Sequence, residues 1–252
     1  MKKRLILLLA LMLVATFFVA CSNDGGEEGE AVVDDGPEAV EETEEEEAAE
    51  EGGDAATDVL VIGGGGAGLV SAITAAENGA DVILVEKMPM LGGNTIISAT
   101  GFTASDTVLH EEAGVPFTVQ DHIDRTMEEG KDLPNLELVT LLAEESSNAT
   151  DWLLSLGLSY QVREEEPWWI VPTEGHFGAQ MVAAYREEAD KHDNLDIRVN
   201  NEAISLVMED DKVVGAVIEN EDGEEYTINA NAVIMATGGF GNAPELIGEY
   251  NP

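Results

Sequence analysis

Three glycines, Gly63, Gly65 and Gly68, stand in the spacing G-x-G-x-x-G, and an acid, Glu86, follows about 20 residues further on. Bare backbone at a turn lets a charged group approach more closely than any side chain would permit. A helix opening at the same turn adds unpaired N–H groups and partial positive charge, which favour a phosphate or diphosphate. Gly63 allows the tight turn, Gly65 gives a pyrophosphate room against the main chain, and Gly68 lets the helix lie close to the preceding strand. Glu86 is placed to accept hydrogen bonds from both hydroxyls of a ribose, and its charge repels a 2′-phosphate, which disfavours NADP. Glycine-rich turns between strand and helix also arise for packing alone, so the chemistry depends on the elements around the turn.

Those elements are legible in order. Residues 59–62 form an apolar run of the kind that is buried on both faces in a parallel sheet. From 66 to 78, Leu69, Val70 and Ile73 recur at helical spacing; Gly79 stops the helix, and 81–85 give a second apolar strand that Glu86 closes. Strand, helix and strand make a βαβ unit. Residues 102–192 read mainly as helices: near 118–129, at 135–156 with a break near Ser147, and at 177–192. Short strands follow at 197–200, 203–209, 213–219, 225–229 and 232–236, with turn signals at 210–212 and 221–224, giving a β-meander. The expected class is α/β, a Rossmann-like domain with a parallel sheet, a β-meander and a helical insertion.

The chain has 252 residues and a formal charge of −41, from 11 Lys+Arg against 52 Asp+Glu, which excludes nucleic-acid binding through phosphate neutralisation. Lys2, Lys3 and Arg4 precede an uncharged run at 5–20, about 24 Å long as a helix and short of the ~30 Å hydrocarbon core. A signal peptide over 1–21 is expected. Phe18-Val19-Ala20-Cys21, followed by Ser22, resembles the lipobox at which bacterial lipoprotein signals are cut and the cysteine lipidated, although Phe18 stands where Leu is usual. Cys21 is the only cysteine, so no intrachain disulfide forms. The expected location is an exported protein held by lipid at the outer face of a bacterial cytoplasmic membrane, or periplasmic, with membrane contact only through Cys21. Between Ser22 and Asp58 there is no Lys or Arg among many acids, so 22–57 reads as a disordered acidic linker, and 58–252 as the folded domain.

Two further glycine-bearing loops accompany the first. GGNT at 92–95 and SATG at 98–101 come just past the second strand, and AVIMATGGFG at 232–241 is a strand ending in Gly238-Gly239 with the Thr237 hydroxyl beside it. Together, VIGGGGAG, ILVEK, LGGN, the meander and IMATGGFG resemble the FAD-binding part of the fumarate reductase and succinate dehydrogenase flavoprotein family, in particular the soluble reductases related to flavocytochrome c fumarate reductase. The resemblance implies FAD as the cofactor. It implies that Gly63, Gly65, Ala67 and Gly68 meet the pyrophosphate, that Glu86 and Lys87 lie at the adenosine ribose, and that Gly93, Asn94, Thr95, Ser98 and Gly101 approach the flavin side. Ala203 would touch the adenine through its backbone, and Thr237 and Gly238 would lie near the nucleotide.

Members of that family reduce the double bond of α,β-unsaturated carboxylates such as fumarate. Hydride leaves flavin N5 for the β-carbon, an arginine supplies the proton, and Arg and His residues clamp the carboxylates. In the family those residues lie in a capping domain and a returning C-terminal segment beyond the ATGG motif. On that comparison 58–252 is an incomplete FAD-binding domain with its C-terminal part and capping domain missing, and no catalytic residue is assigned. Arg125, Arg163, Arg186 and Arg198 read as surface cations, and His110, His122 and His192 as solvated residues on polar helix faces. His176, in TEGHFG ahead of a helix, is either a substrate-side group or an ordinary helix-start histidine. No metal-ligand spacing joins the histidines. An external protein must supply electrons, since one cysteine excludes a C-x-x-C-H haem site. A nucleotide-binding lipoprotein without catalysis, or the product of a split gene, remains an alternative, as does an NAD-dependent dehydrogenase; the latter gives LGGN and ATGGFG no role.

Overall fold

The computed structural model describes residues 54–250, with side chains to 248. The signal peptide and Cys21 lie outside the described residues, as does the linker up to residue 53. The elements in order are β1 (Ala55–Ile62), α1 (Gly66–Glu77), β2 (Val82–Glu86), α2 (Gly93–Ile96), α3 (Val108–Ala113), α4 (Val119–Glu129) and α5 (Leu136–Ser155). There follow β3 (Tyr160–Arg163), β4 (Glu166–Pro172), α6 (Phe177–Ala189), β5 (Leu195–Val199), β6 (Glu202–Glu209), β7 (Lys212–Glu219), β8 (Glu225–Met235) and α7 (Pro244–Tyr250).

Six strands form one sheet in the order β5-β2-β1-β8-β7-β6, parallel from β5 to β8 and antiparallel from β8 to β6. This is the α/β class expected. The second half of β1, residues 59–62, and the apolar run of β2, residues 82–85, are apolar on both faces because both are covered. On one side Val61 and Leu84 pack with Leu69 and Ile73 of α1 and Val182 and Tyr185 of α6; on the other, Leu60, Ile62, Ile83 and Val85 pack with Ala216, Ile218, Tyr226 and Ile228. Leu60, Val61, Leu69, Ile73 and Leu84 are wholly buried, each stabilising the fold by about 1.5–3 kcal/mol. Shifts of register at Ala203/Ser205 and Val207/Met208 mark irregularities in edge strand β6, which leaves Ile204, Leu206 and Met208 exposed.

Several expectations need correction. β1 begins at Ala55, inside the segment assigned to the linker, because Ala55–Thr57 pair with residues 228–230 of a long partner strand. The two strands expected at 225–229 and 232–236 are one, β8, which pairs with β7 along its first half and with β1 from Ile228 onward. The meander is therefore part of the central sheet. α5 runs unbroken through Ser147: Ser146 Oγ donates back to Ala143 O at 2.8 Å, and Ser147 Oγ donates to Asp106 O at 3.0 Å. The insertion also contains a hairpin, β3–β4, that helical periodicity does not anticipate.

His110 and His122 are buried, not solvated. His110 Nε2 lies 2.8 Å from the Pro167 carbonyl, which can only accept, so Nε2 carries the proton and Nδ1 accepts from the Thr107 hydroxyl at 2.7 Å. His122 Nδ1 lies 3.3 Å from Ser105 Oγ, and burial lowers the pKa of its imidazole. Both rings tie the insertion together, with Phe117 packed between them.

Candidate functional site: a nucleotide cleft at the ends of the parallel strands

β1, β2 and β8 end side by side, and the loops that leave them enclose a cleft of about 430 Å³. Its floor is the turn from β1 to α1. Gly63 N donates to Val85 O at 2.8 Å, and Ala236 N donates to Ile62 O at 2.8 Å, so the turn is held from both flanking strands. Gly92 N donates to Gly64 O at 2.8 Å, and Gly66 N donates to the Thr95 hydroxyl at 3.1 Å. The LGGN loop thus braces the first glycine turn directly.

The glycines of the turn are glycines for different reasons. Gly63 has φ +108°, and a Cβ there would lie 2.5 Å from Ala236 O. A Cβ at Gly68 would overlap the carbonyl oxygen of Gly63. Those two are demanded by the protein itself. Gly65 differs: it adopts an extended φ of −75° that any residue tolerates, and a Cβ there would meet nothing within 4 Å. No packing in the described residues requires glycine at 65. The space its missing side chain leaves belongs to the cleft, at the N-cap of a 12-residue helix with no side-chain cap. That combination suits a diphosphate.

Glu86 is 8% exposed at the end of β2. Its Oε2 accepts from Gly64 N at 2.6 Å and its Oε1 from Met88 N at 2.8 Å, so the carboxylate is fixed by backbone donors while each oxygen keeps further acceptor capacity. The acid therefore has a structural duty, holding the turn, that the spacing did not disclose. Lys87 stands at the rim, 3.9 Å from Glu202. Asn201, whose N–H donates to Glu86 O at 3.0 Å and whose Oδ1 accepts from the Tyr226 hydroxyl at 2.6 Å, brings the start of β6 to the same mouth.

Of the residues singled out in the sequence, Gly63, Gly65, Ala67, Glu86, Lys87, Gly93, Asn94, Thr95, Ala203, Thr237 and Gly238 line this cleft. Gly68, Ser98 and Gly101 do not. Gly68 lies behind the turn, Ser98 O accepts from Gly178 N at 2.8 Å where α6 begins, and Gly101 packs on Ile170 and Trp169 of β4. Gly239, paired with Gly238 in the sequence, lines the cleft too, and Met88, Asn201 and Glu202 line it without having been anticipated. The Asn200-Asn201 pair was the available signal, a turn between strands, and Asn200 does adopt a φ of +56°.

No Arg or His among the described residues lines the cleft. Arg125 lies 3.8 Å over the Trp168 ring, Arg163 pairs with Glu166, and Arg198 pairs with Asp196. His176 is the exposed N-cap residue of α6 and makes no side-chain cap.

Residues 58–252 match the family profile described as an FAD binding domain. The chain is 35% identical over 192 residues to a probable fumarate reductase of Shewanella frigidimarina, and 32% identical over 195 residues to a urocanate reductase of Eggerthella lenta. In both, 74% of this chain is covered, with 33% and 32% of the relatives. The chain thus spans about a third of the length of these curated relatives. The fold superimposes on the open conformation of a flavocytochrome c3 fumarate reductase with a TM-score of 0.74 at 36% identity, covering 79% of this chain and 36% of the other. The chain belongs to the FAD-binding-domain family, alongside the fumarate and urocanate reductases, and its cofactor is FAD.

Proposed function

We propose that this chain is the cofactor-holding part of an exported, lipid-anchored oxidoreductase that reduces the double bond of fumarate or a similar α,β-unsaturated carboxylate. The observation that carries it is Gly65, whose side-chain-free face opens into a cleft and serves no packing need of the protein. Bound FAD would supply hydride from flavin N5 to the β-carbon of the substrate. The residues of the chain bind and orient. Gly65 and Ala67 would present main-chain N–H groups and the positive end of α1 to the diphosphate, with Gly68 behind them holding α1 against the turn. Glu86, held by two backbone donors, would accept from the ribose hydroxyls, with Lys87 beside it. Ala203 would border the adenine, while Gly93, Asn94 and Thr95, with Ser98 and Gly101 behind them, would shape the flavin side near Thr237 and Gly238.

In this reading 1–21 is a cleaved signal ending at lipidated Cys21, the acidic stretch after it is a tether, and the remainder forms the cofactor domain. A separate protein donates electrons. The test is calorimetric titration of the full chain with FAD and with NAD, followed by dithionite reduction of the FAD complex and addition of fumarate, urocanate or acrylate. FAD binding and reoxidation of the flavin absorbance by one of these acids support the proposal. Preference for NAD overturns it in favour of an NAD-dependent dehydrogenase. Bound flavin that none of the acids reoxidises supports a chain that holds the nucleotide without catalysing by itself, a reading favoured by the engagement of Arg125, Arg163 and Arg198 away from the cleft.

A further inference from the structure

At the opposite end of α1 from the cleft, three metal-ligating side chains converge. Glu77 is the last residue of α1, and Glu188 and His192, at the end of α6 and just beyond it, are four residues apart and so share one side. One ligand atom from each of the three lies within 4.8 Å of the other two. The gathering is unfavourable as it stands. Two carboxylates face each other at the C-terminal ends of two helices, where carbonyl partial charge already disfavours an acid. The Nε2 atom of His192 is buried and has no hydrogen-bond partner.

The local cation does not resolve this. Lys191 Nζ takes Glu188 Oε2 at 2.7 Å, leaving Oε1 turned towards His192 Nε2 at 4.0 Å. The frame around the cluster is fixed independently, since Asn194 Nδ2 donates to Ala76 O at 3.0 Å and to Ala80 O at 2.8 Å, tying the segment after α6 to the end of α1.

We infer that Glu77, Glu188 and His192 form a binding site for a divalent transition-metal ion, Zn²⁺ being the best match. One imidazole and two carboxylates are a borderline donor set that suits zinc better than calcium or magnesium, which take oxygen alone. Bond lengths of about 2.0–2.2 Å would draw the three donors together by roughly 1 Å, which exposed Glu77 can supply by rotation. A water would complete the tetrahedron. The ion would offset both carboxylates, satisfy the stranded imidazole nitrogen and clip the end of α1 to the end of α6. Protons leave His192 if it is charged, and no electron moves.

The full chain, stripped of metal with EDTA and dialysed, is titrated with ZnCl₂ by calorimetry and with Co²⁺ by visible absorption. The expected result is one tight site per chain, a Co²⁺ d–d spectrum and a Tm raised by Zn²⁺. His192→Ala keeps every acid, including the glutamate-rich stretch at 41–54, and Glu77→Gln changes only an exposed helix end; each weakens the tight site by at least about tenfold. Wild-type affinity in either folded variant, or no tight site in the wild type, overturns the assignment and leaves any zinc uptake to the acidic stretch. Should His192→Ala fail to fold, Glu77→Gln decides alone.

Discussion

Gly65→Ala separates what a ligand needs from what the fold needs. The added methyl meets no protein atom within 4 Å, and the backbone at φ −75°, ψ −174° accepts it without strain. Two small effects oppose each other in the free protein. Alanine is a poorer N-cap than glycine by up to about 1 kcal/mol, while loss of glycine freedom in the unfolded chain returns about 0.4–1 kcal/mol. The net change in stability is within about 0.5 kcal/mol. In the complex the same methyl occupies the face against which the diphosphate rests, and overpacking there costs about 1–3 kcal/mol, or roughly 5- to 150-fold in Kd. Gly68→Ala is the contrast: its methyl collides with the Gly63 carbonyl, so it lowers stability itself. Urea unfolding followed by circular dichroism measures the first quantity, and quenching of FAD fluorescence measures the second. FAD affinity unchanged in Gly65→Ala, or a loss of stability as large as in Gly68→Ala, would refute the reasoning.

Glu86→Gln replaces an acceptor with an amide donor against the N–H of Gly64 or Met88, and should cost about 1–3 kcal/mol of stability as well as weakening FAD binding; urea denaturation and fluorescence titration check both. His122 has a pKa lowered by burial, so the unfolded chain takes up its proton first as pH falls. Its contribution to stability is intact above its unfolded value of 6.5 and declines as pH drops below it, so the stability difference between wild type and His122→Gln should narrow between about pH 7.5 and 5. Trp168→Leu removes the ring under Arg125 and should destabilise the link between β4 and α4 by about 0.5–2 kcal/mol, seen as a lower urea midpoint. Mass spectrometry of the protein from bacterial membranes should find diacylglycerol on an N-terminal Cys21; an unmodified N-terminus removes the anchor from the account.

The βαβ unit was legible because each of its signals is local: an apolar run at 59–62, three glycines and a helical repeat at Leu69, Val70 and Ile73. Most cleft residues followed, since the loops that bear them leave the ends of those strands. What stayed hidden depends on partners far along the chain. The continuity of β8 through Ala230 and Asn231 comes from pairing with β1, where Asn231 Nδ2 reaches Asp58 Oδ1 at 3.0 Å. β3 alternates over only four residues, Tyr160 to Arg163, and β4 shows no alternation, so neither stands out beside the charged stretch at 164–166, and their position rests in part on a bridge from Phe102 to Ile170. His110 and His122 look polar-faced on their own helices, but Pro167 O and Ser105 Oγ, which engage them, come from elsewhere. Ser98 and Gly101, which the resemblance puts towards the flavin side, also meet the start of α6 and strand β4, contacts that their local sequence does not show. The dual task of Glu86 was invisible for the same reason, since nothing in its spacing shows that Gly64 N lies 2.6 Å away.

A crystal structure of the full chain with FAD tests the central claim most directly. The account predicts the diphosphate lying against Gly65 within hydrogen-bond reach of the first-turn N–H groups of α1, and ribose hydroxyls on the carboxylate of Glu86. FAD bound away from Gly65, or a ribose that leaves Glu86 untouched, would contradict it.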